Sequence, residues 1–147
     1  MMNKRKVWAT LVSKVCYVQG ALVLEQSVRD AGSKYKFIVM TMPDLPKVVL
    51  DIFAARNIPT RPIRQLKPPP GRYVADPHDK RFEETWGKLR CFELIEYDRV
   101  IMLDSDMIML RNMDELMELE LPSTDWIGAV HVCACNPMKY PHYPKDW

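Results

Sequence analysis

Apolar residues along the chain follow two kinds of pattern that alternate with one another. Residues 6–12, KVWATLV, form a β-rich run that predicts a first strand. Helical spacing follows in Tyr17, Ala21, Leu24 and Val28. Gly32 then stands where the C-terminal cap of that helix is expected. The chain therefore opens with a strand and a helix.

The same order repeats in the next part of the chain. Residues 36–42, KFIVMTM, form a continuous apolar run of the kind that is buried in a parallel sheet. Asp44 is placed to cap a helix that tolerates Pro46 in its first turn and reaches about Asn57. A third strand is expected within residues 60–66, which completes the βαβαβ unit of a nucleotide-binding half-fold.

A proline-rich segment separates this unit from the rest. Residues 67–81, KPPPGRYVADPHDKR, contain too much proline for regular structure and predict a surface loop. Helical spacing returns over residues 82–97. Residues 99–103, RVIML, then predict a strand that leads directly into a pair of acidic residues.

Shorter elements are predicted beyond the acidic pair. The apolar run MIML at residues 107–110 predicts another strand, and Asn112 is placed to cap a brief helix that ends at Leu119. Residues 124–132, TDWIGAVHV, predict a further strand. Because strands and helices alternate, we expect an α/β fold with a largely parallel sheet, in a single domain over residues 1–147.

Composition limits the class of function. Lys and Arg number 21 against 19 Asp and Glu, and the net charge of +2 predicts no general affinity for nucleic acids or membrane surfaces. The opening MMNKRKVWATLV has no apolar run long enough for a membrane span or a signal-peptide core, so a cytoplasmic protein is expected. Cys16, Cys91, Cys133 and Cys135 lack the paired CxxC arrangement of zinc ribbons and predict reduced thiols.

The acidic pair carries the most specific chemistry. Asp104 and Asp106 lie within IMLDSDMIML, residues 101–110, and in an extended backbone they project to the same side. Two carboxylates this close repel each other unless they share a proton or a cation, and hard ions such as Mn²⁺ or Mg²⁺ prefer oxygen ligands and substrate phosphates. The pattern predicts a metal–diphosphate site; the structural alternative is an acidic turn that only solvates a loop.

Three segments, in this order, resemble glycosyltransferase family 8, which includes glycogenin and galactinol synthase. They are YVQGALVLEQSVRD at residues 17–30, FIVMTMPDLP at 37–46, and TWGKLRCFELIEYDRVIMLDSDMIMLRNMDELM at 85–117. The resemblance implies a Rossmann-like fold of the GT-A type with a mostly parallel sheet. It also implies a UDP-sugar donor, such as UDP-galactose or UDP-glucose.

The resemblance assigns a nucleotide-binding role to residues at the end of the first strand and at the start of the helix that follows. Leu11 and Ser13 would contact the nucleotide, and Tyr17 would stack on the uracil ring. The structural alternative for Tyr17 is an aromatic residue that packs on the core at the start of a helix.

The resemblance also assigns a catalytic and metal-binding group. Lys88 would reach the diphosphate or the sugar, although most lysines are merely solvated. Asp104 would contact ribose and metal, Asp106 the metal more directly, and the backbone N–H of Ser105 the ribose. The implied reaction is glycosyl transfer with retention of configuration, in which the metal acts as a Lewis acid on the departing UDP.

Downstream motifs of the family do not occur before Trp147. They are Asn-Ala/Ser-Gly, Asp-Gln and His-x-x-Gly-x-Lys-Pro-Trp, whose histidine supplies the third protein ligand of the metal. We therefore expect a domain truncated at its C-terminus that binds donor weakly, transfers no sugar, and exposes apolar surface that favours association, including homo-oligomers. His131, Cys133 and Cys135 form HVCAC, whose spacing is too tight for common zinc sites and which is interpreted as a strand end and loop.

Other functions stay open at this point. A haloacid-dehalogenase-type phosphatase would use Asp104 as nucleophile and Asp106 as general acid, but Ile108 stands where that family has Thr or Val. A non-enzymatic alternative is an inactive nucleotide-binding fragment that lacks the acceptor half. The donor sugar and the acceptor are not specified by these patterns.

Overall fold

A parallel sheet of four strands forms the centre of the protein. The computed structural model describes residues 5–69, 71, 80–130, 136, 139–141 and 143. The strands are β1 Lys6–Val12, β2 Lys36–Thr41, β3 Thr60–Pro62 and β4 Arg99–Met102. They lie in the order β3-β2-β1-β4, and every neighbouring pair is parallel. The predicted α/β fold with a parallel sheet is confirmed.

Helices cover both faces of this sheet. They are a short 3-10 helix Val15–Tyr17 that leads into α1 Val18–Asp30, then α2 Lys47–Ala55, a 3-10 helix Lys80–Glu93 (the 80–93 helix below) and α3 Glu115–Glu118. Buried residues of α1 and α2 cluster with Trp8 and Val12 on one face. Leu11 and the end of the 80–93 helix belong to the cluster on the other face, because successive residues of a strand point to opposite sides.

This arrangement creates a switch point beside β1. The crossovers through α1 and α2 lie on one face of the sheet, whereas the 80–93 helix crosses on the other face before β4 pairs with β1. In such sheets ligands bind in the crevice at the carboxyl ends of the strands where the order reverses. Within the described residues β4, the strand that leads into the acidic pair, lies at one end of this order, beside β1.

The first helix ends as its sequence predicts. Gly32 has φ of +70°, the left-handed conformation that favours glycine. Its N–H donates to the carbonyl of Arg29 at 2.9 Å, and the N–H of Ser33 donates to that of Val28 at 3.3 Å. These two bonds cap the carbonyls of the last turn of α1.

The second helix differs from its prediction at both ends. Its N-cap is Pro46 and no side-chain hydrogen bond caps it, so the proposed cap at Asp44 was wrong. The helix stops at Ala55, and Asn57 adopts a left-handed φ of 57°. The third strand is shorter than expected, since β3 occupies only Thr60–Pro62.

The strands predicted after the acidic pair do not form in the described residues. Residues 107–110 are irregular because the Met109 N–H donates to Ser27 Oγ of α1 at 2.9 Å, not to a neighbouring strand. Residues 124–130 are likewise irregular and exposed. His131, Cys133 and Cys135 lie outside the described residues.

The short helix after the acidic pair begins later than predicted. Asn112 Oδ1 accepts the N–H of Asp114 at 2.8 Å, and α3 starts only at Glu115. The Asp114 carboxylate accepts hydrogen bonds from Ser33 Oγ at 2.5 Å and from the Lys34 N–H at 3.0 Å. This turn therefore fastens the segment after β4 to the loop between α1 and β2.

Candidate functional site

The acidic pair lies on a turn at the carboxyl end of β4. The Leu103 N–H donates to the carbonyl of Ala9 at 2.9 Å and continues the pairing with β1. The Met107 N–H then donates to the carbonyl of Asp104 at 3.1 Å and closes the turn. The extended backbone expected for the pair is therefore wrong, because Ser105 and Asp106 are the central residues of this turn. Asp104 is half-buried and Asp106 is exposed.

The register of the sheet brings the acidic turn beside the end of β1. Ala9 pairs with Met102 in parallel register. Leu11 and Asp104 each follow two residues later, so both stand at the carboxyl edge of neighbouring strands. The sequence assigned both residues to one site, and the sheet places them at the same edge.

Lys88 forms an ion pair with the acidic turn. Its Nζ lies 2.5 Å from Asp104 Oδ1 and donates a hydrogen bond to it. The two side chains are 41% and 46% exposed, so water screens the attraction and the pair adds little to stability. The contact brings together two of the three residues that the sequence assigned to catalysis.

The 80–93 helix packs closely on the ends of the strands beside Lys88. A Cβ added to the neighbouring Gly87 would lie 3.2 Å from Leu11 Cδ2 and 3.5 Å from Ile63 Cδ1. A side chain at this position would therefore require the Leu11 side chain to shift by a few tenths of an ångström. Gly87 is accommodated without that shift, next to the lysine that pairs with Asp104.

Residues at the end of β1 and just after it line the other side of the same edge. Leu11 is buried, with only 7% of its surface exposed. Ser13 is half-buried, and Tyr17 at the start of α1 is 42% exposed. Lys14 Nζ lies 3.2 Å from Glu84 Oε1, and the hydrogen bond to this carboxylate raises the pKa of Lys14. That pair links the β1 loop to the 80–93 helix.

Other chemical groups in the described residues do not extend this site. No group of three or more His, Cys, Asp or Glu side chains is placed there to hold a metal. Cys16 and Cys91 are free thiols, and burial raises the pKa of Cys91. A cleft between β3 and the 80–93 helix lacks the acidic pair. It is lined by three arginines together with Glu93 and apolar residues: Arg61, Pro62, Ile63, Arg64, Arg90, Glu93 and Leu94.

Comparison with known proteins identifies the family. The sequence model described as Glycosyl transferase family 8 matches residues 10–145. The chain belongs to glycosyl transferase family 8. Family 8 membership and the parallel sheet together establish a fold of the GT-A type. They give no support to the phosphatase alternative, in which Asp104 would attack phosphate.

Several family 8 relatives are similar to most of this chain. Galactinol synthase 10 of Arabidopsis thaliana is 30% identical over 134 residues, which cover 91% of the chain and 39% of that protein. Galactinol synthase 1 of Solanum lycopersicum is 29% identical over 121 residues, 82% of the chain and 36% of that protein. UDP-glucuronate:xylan alpha-glucuronosyltransferase 1 of Arabidopsis thaliana is 28% identical over 117 residues, 79% of the chain and 17% of that protein. The chain spans well under half the length of these relatives.

Two residues of α1 that contact the segment after β4 were missed by sequence reasoning. A Cβ at Gly20 would lie 2.3 Å from the carbonyl oxygen of Ser105, and Ser27 Oγ accepts the N–H of Met109. A glycine inside a helix is unfavourable without a packing reason, so Gly20 was a usable signal. Ser27 gave no comparable signal, because a serine on a helix is most often solvated.

None of the described helices is long and apolar enough to cross a membrane.

Proposed function

We propose that this chain forms the donor-binding part of a retaining glycosyltransferase that takes a UDP-sugar, with a divalent metal held by Asp104 and Asp106. The observation that carries the proposal is the position of the acidic turn. It follows β4 directly, beside the end of β1, and Lys88 Nζ lies 2.5 Å from Asp104 Oδ1. Carboxylates and an ammonium group at one sheet edge suit a metal–diphosphate ligand.

The donor set fits a hard cation. Asp104 already accepts a positively charged group, and the more exposed Asp106 lies on the same turn. Two carboxylates leave room in the coordination shell for water and diphosphate oxygens, as is usual for Mg²⁺ and Mn²⁺. When bound, the metal would supply Lewis-acid stabilisation of the UDP leaving group.

The remaining residues take the roles that the family resemblance implies. The exposed ring of Tyr17 would stack on uracil. Leu11 and Ser13 at the end of β1 would contact the nucleotide, and Ser13 is the more exposed of the two. The Ser105 N–H would meet the ribose. Lys88 would shift from Asp104 to the diphosphate and balance the charge that grows on the leaving group.

The relatives support a nucleotide-sugar donor without specifying the sugar. The name of one relative specifies UDP-glucuronate, and others are named galactinol synthases. We propose that this chain also uses a UDP-linked sugar. UDP-galactose and UDP-glucose are the first donors to test.

Calorimetric titration of UDP with and without Mn²⁺, on wild type and on Asp106→Ala, tests the metal site. Wild type with Mn²⁺ should bind UDP at least about ten-fold more tightly than the other three combinations, since diphosphate and carboxylates repel without a cation. Asp51→Ala on α2 is the matched control, because it removes one exposed carboxylate far along the chain from the turn. Equal affinity in all four titrations would refute the metal site.

Nucleotide-sugar binding without transfer is the second candidate function. It is favoured by the lack, in the described residues, of a third metal-binding side chain beside the two aspartates. UDP release from UDP-galactose and UDP-glucose is measured with Mn²⁺ against myo-inositol and short glucans. Turnover that disappears in Asp104→Ala supports transfer, whereas Mn²⁺-dependent UDP binding with no turnover supports binding alone.

A further inference from the structure

The acidic turn touches helix α1 through backbone atoms. A Cβ built on Gly20 would lie 2.3 Å from the Ser105 carbonyl oxygen and 3.8 Å from the Asp106 Cα. No real side chain tolerates the first distance, and the atom it meets is main chain, so no rotamer change relieves the overlap. Gly20 therefore sets how closely the acidic turn approaches α1.

A second contact lies two helical turns further along α1. Ser27 is 7% exposed, and its hydroxyl donates to the Leu24 carbonyl at 2.7 Å and accepts the Met109 N–H at 2.9 Å. Seven residues are close to two turns of a helix, so Gly20 and Ser27 share one face of α1. The segment from Ser105 to Met109 thus runs along that face.

The acidic turn is held at three points. The Leu103 N–H bonded to Ala9 fixes the chain before the turn, the Ser27 hydroxyl fixes it afterwards at Met109, and Gly20 contacts its centre. None of these contacts involves a carboxylate. They fix the backbone of the turn without engaging either carboxylate, and among the side chains described above only Lys88 pairs with Asp104.

We propose that Gly20 and Ser27 are positioning residues that set the geometry of the metal site at Asp104 and Asp106. The inference rests on the proposed metal-binding function. A methyl group at position 20 forces Ser105 and Asp106 away from α1. The Asp104 and Asp106 carboxylates then no longer have the relative positions needed to bind one metal ion. Loss of the Ser27 hydroxyl frees the chain after the turn and lowers metal affinity by a smaller factor.

The test measures Mn²⁺ binding by electron paramagnetic resonance of free Mn²⁺, with and without UDP, well below the unfolding temperature of each variant. Gly20→Ala should weaken Mn²⁺ binding about 10- to 100-fold, and Ser27→Ala about 10-fold, as changes next to metal ligands usually do. Gly128→Ala is the matched control, because a Cβ there meets nothing within 4 Å. Val49→Ala, buried on α2, controls for loss of stability alone.

The outcomes separate this inference from the proposed function. Mn²⁺ affinities within about two-fold of wild type in both α1 variants would overturn the positioning role. The role would also be overturned if Val49→Ala, with an unfolding temperature lowered as much as that of the α1 variants, lost as much Mn²⁺ affinity as they do. If Gly20→Ala does not fold, Ser27→Ala decides. If wild type binds no Mn²⁺, or binds it with the same affinity as Asp106→Asn, the proposed metal site is wrong, and the positioning role of Gly20 and Ser27 is wrong as well.

Discussion

Replacing Lys88 by methionine separates two effects of one ammonium group. In the structure Lys88 Nζ lies 2.5 Å from Asp104 Oδ1, so it occupies the carboxylate that we propose as a metal ligand. A metal that binds Asp104 competes with this ammonium for the same carboxylate. The same ammonium is then free to meet the diphosphate of UDP. We therefore expect the substitution to change the affinities for metal alone and for UDP in opposite directions.

The size of each effect follows from exposure. Because the two side chains are 41% and 46% exposed, the ion pair should contribute only about 0.2–1 kcal/mol. Lys88→Met should then lower the free energy of unfolding by no more than about 1 kcal/mol and tighten Mn²⁺ binding without nucleotide by about 1.4- to 5-fold. A hydrogen bond to a charged group contributes about 1.5–3 kcal/mol, so UDP binding with Mn²⁺ should weaken about 13- to 160-fold.

Calorimetric titrations of Mn²⁺ and of UDP with saturating Mn²⁺ measure both changes. Lys47→Met is the matched control, since it removes one positive charge from a pair on α2 whose side chains are 85% and 59% exposed. The control should leave both affinities near those of wild type. If Lys88→Met binds Mn²⁺ no more tightly than Lys47→Met and binds UDP equally well, the displacement reasoning is refuted.

Two further predictions concern the stability of the fold around α3 and α1. A hydrogen bond from Lys6, and to a lesser extent one from Tyr35, lowers the pKa of Glu118 from 4.5 to about 2. The ionised Glu118 carboxylate therefore stabilises the fold fully above pH 4.5, and this stabilisation is lost as the pH falls towards 2. Urea unfolding at several pH values should show Glu118→Gln less stable than wild type at pH 7 and equal to it near pH 2; a constant difference would contradict this. Ser33 Oγ accepts the Trp8 Nε1–H at 2.8 Å, and Trp8 is fully buried, so Ser33→Ala should lower the free energy of unfolding by about 1–3 kcal/mol. A loss below about 0.3 kcal/mol in urea titrations would show that the indole finds another partner.

Sequence patterns failed where a partner distant in the chain decides the conformation. The run at residues 107–110 is apolar enough for a strand, and Met109 is buried between the exposed Ile108 and Leu110. A strand, however, also needs a neighbouring strand to receive its N–H groups. In the described structure the Met109 N–H goes to Ser27, 82 residues away in sequence. Nothing local in the sequence specifies that contact.

Local periodicity and motifs by themselves determined the order of strands and helices as far as β4, the Gly32 cap and the family. These properties depend on residues close together in the chain: alternation in strands, helical spacing, and the left-handed φ that favours glycine. The acidic pair was likewise recognisable from Asp104, Asp106 and their apolar flanks.

Only the tertiary structure decided how the acidic pair is held. It bends Asp104–Met107 into a turn, brings Lys88 to Asp104 across 16 residues, and presses Ser105 against Gly20. Each of these contacts depends on how tightly the helices pack against the sheet. That packing involves residues that are distant in the sequence, so no local pattern specifies it. The chemical groups of the site can be identified from the sequence, whereas the distances between them are set by the packing of the helices against the sheet.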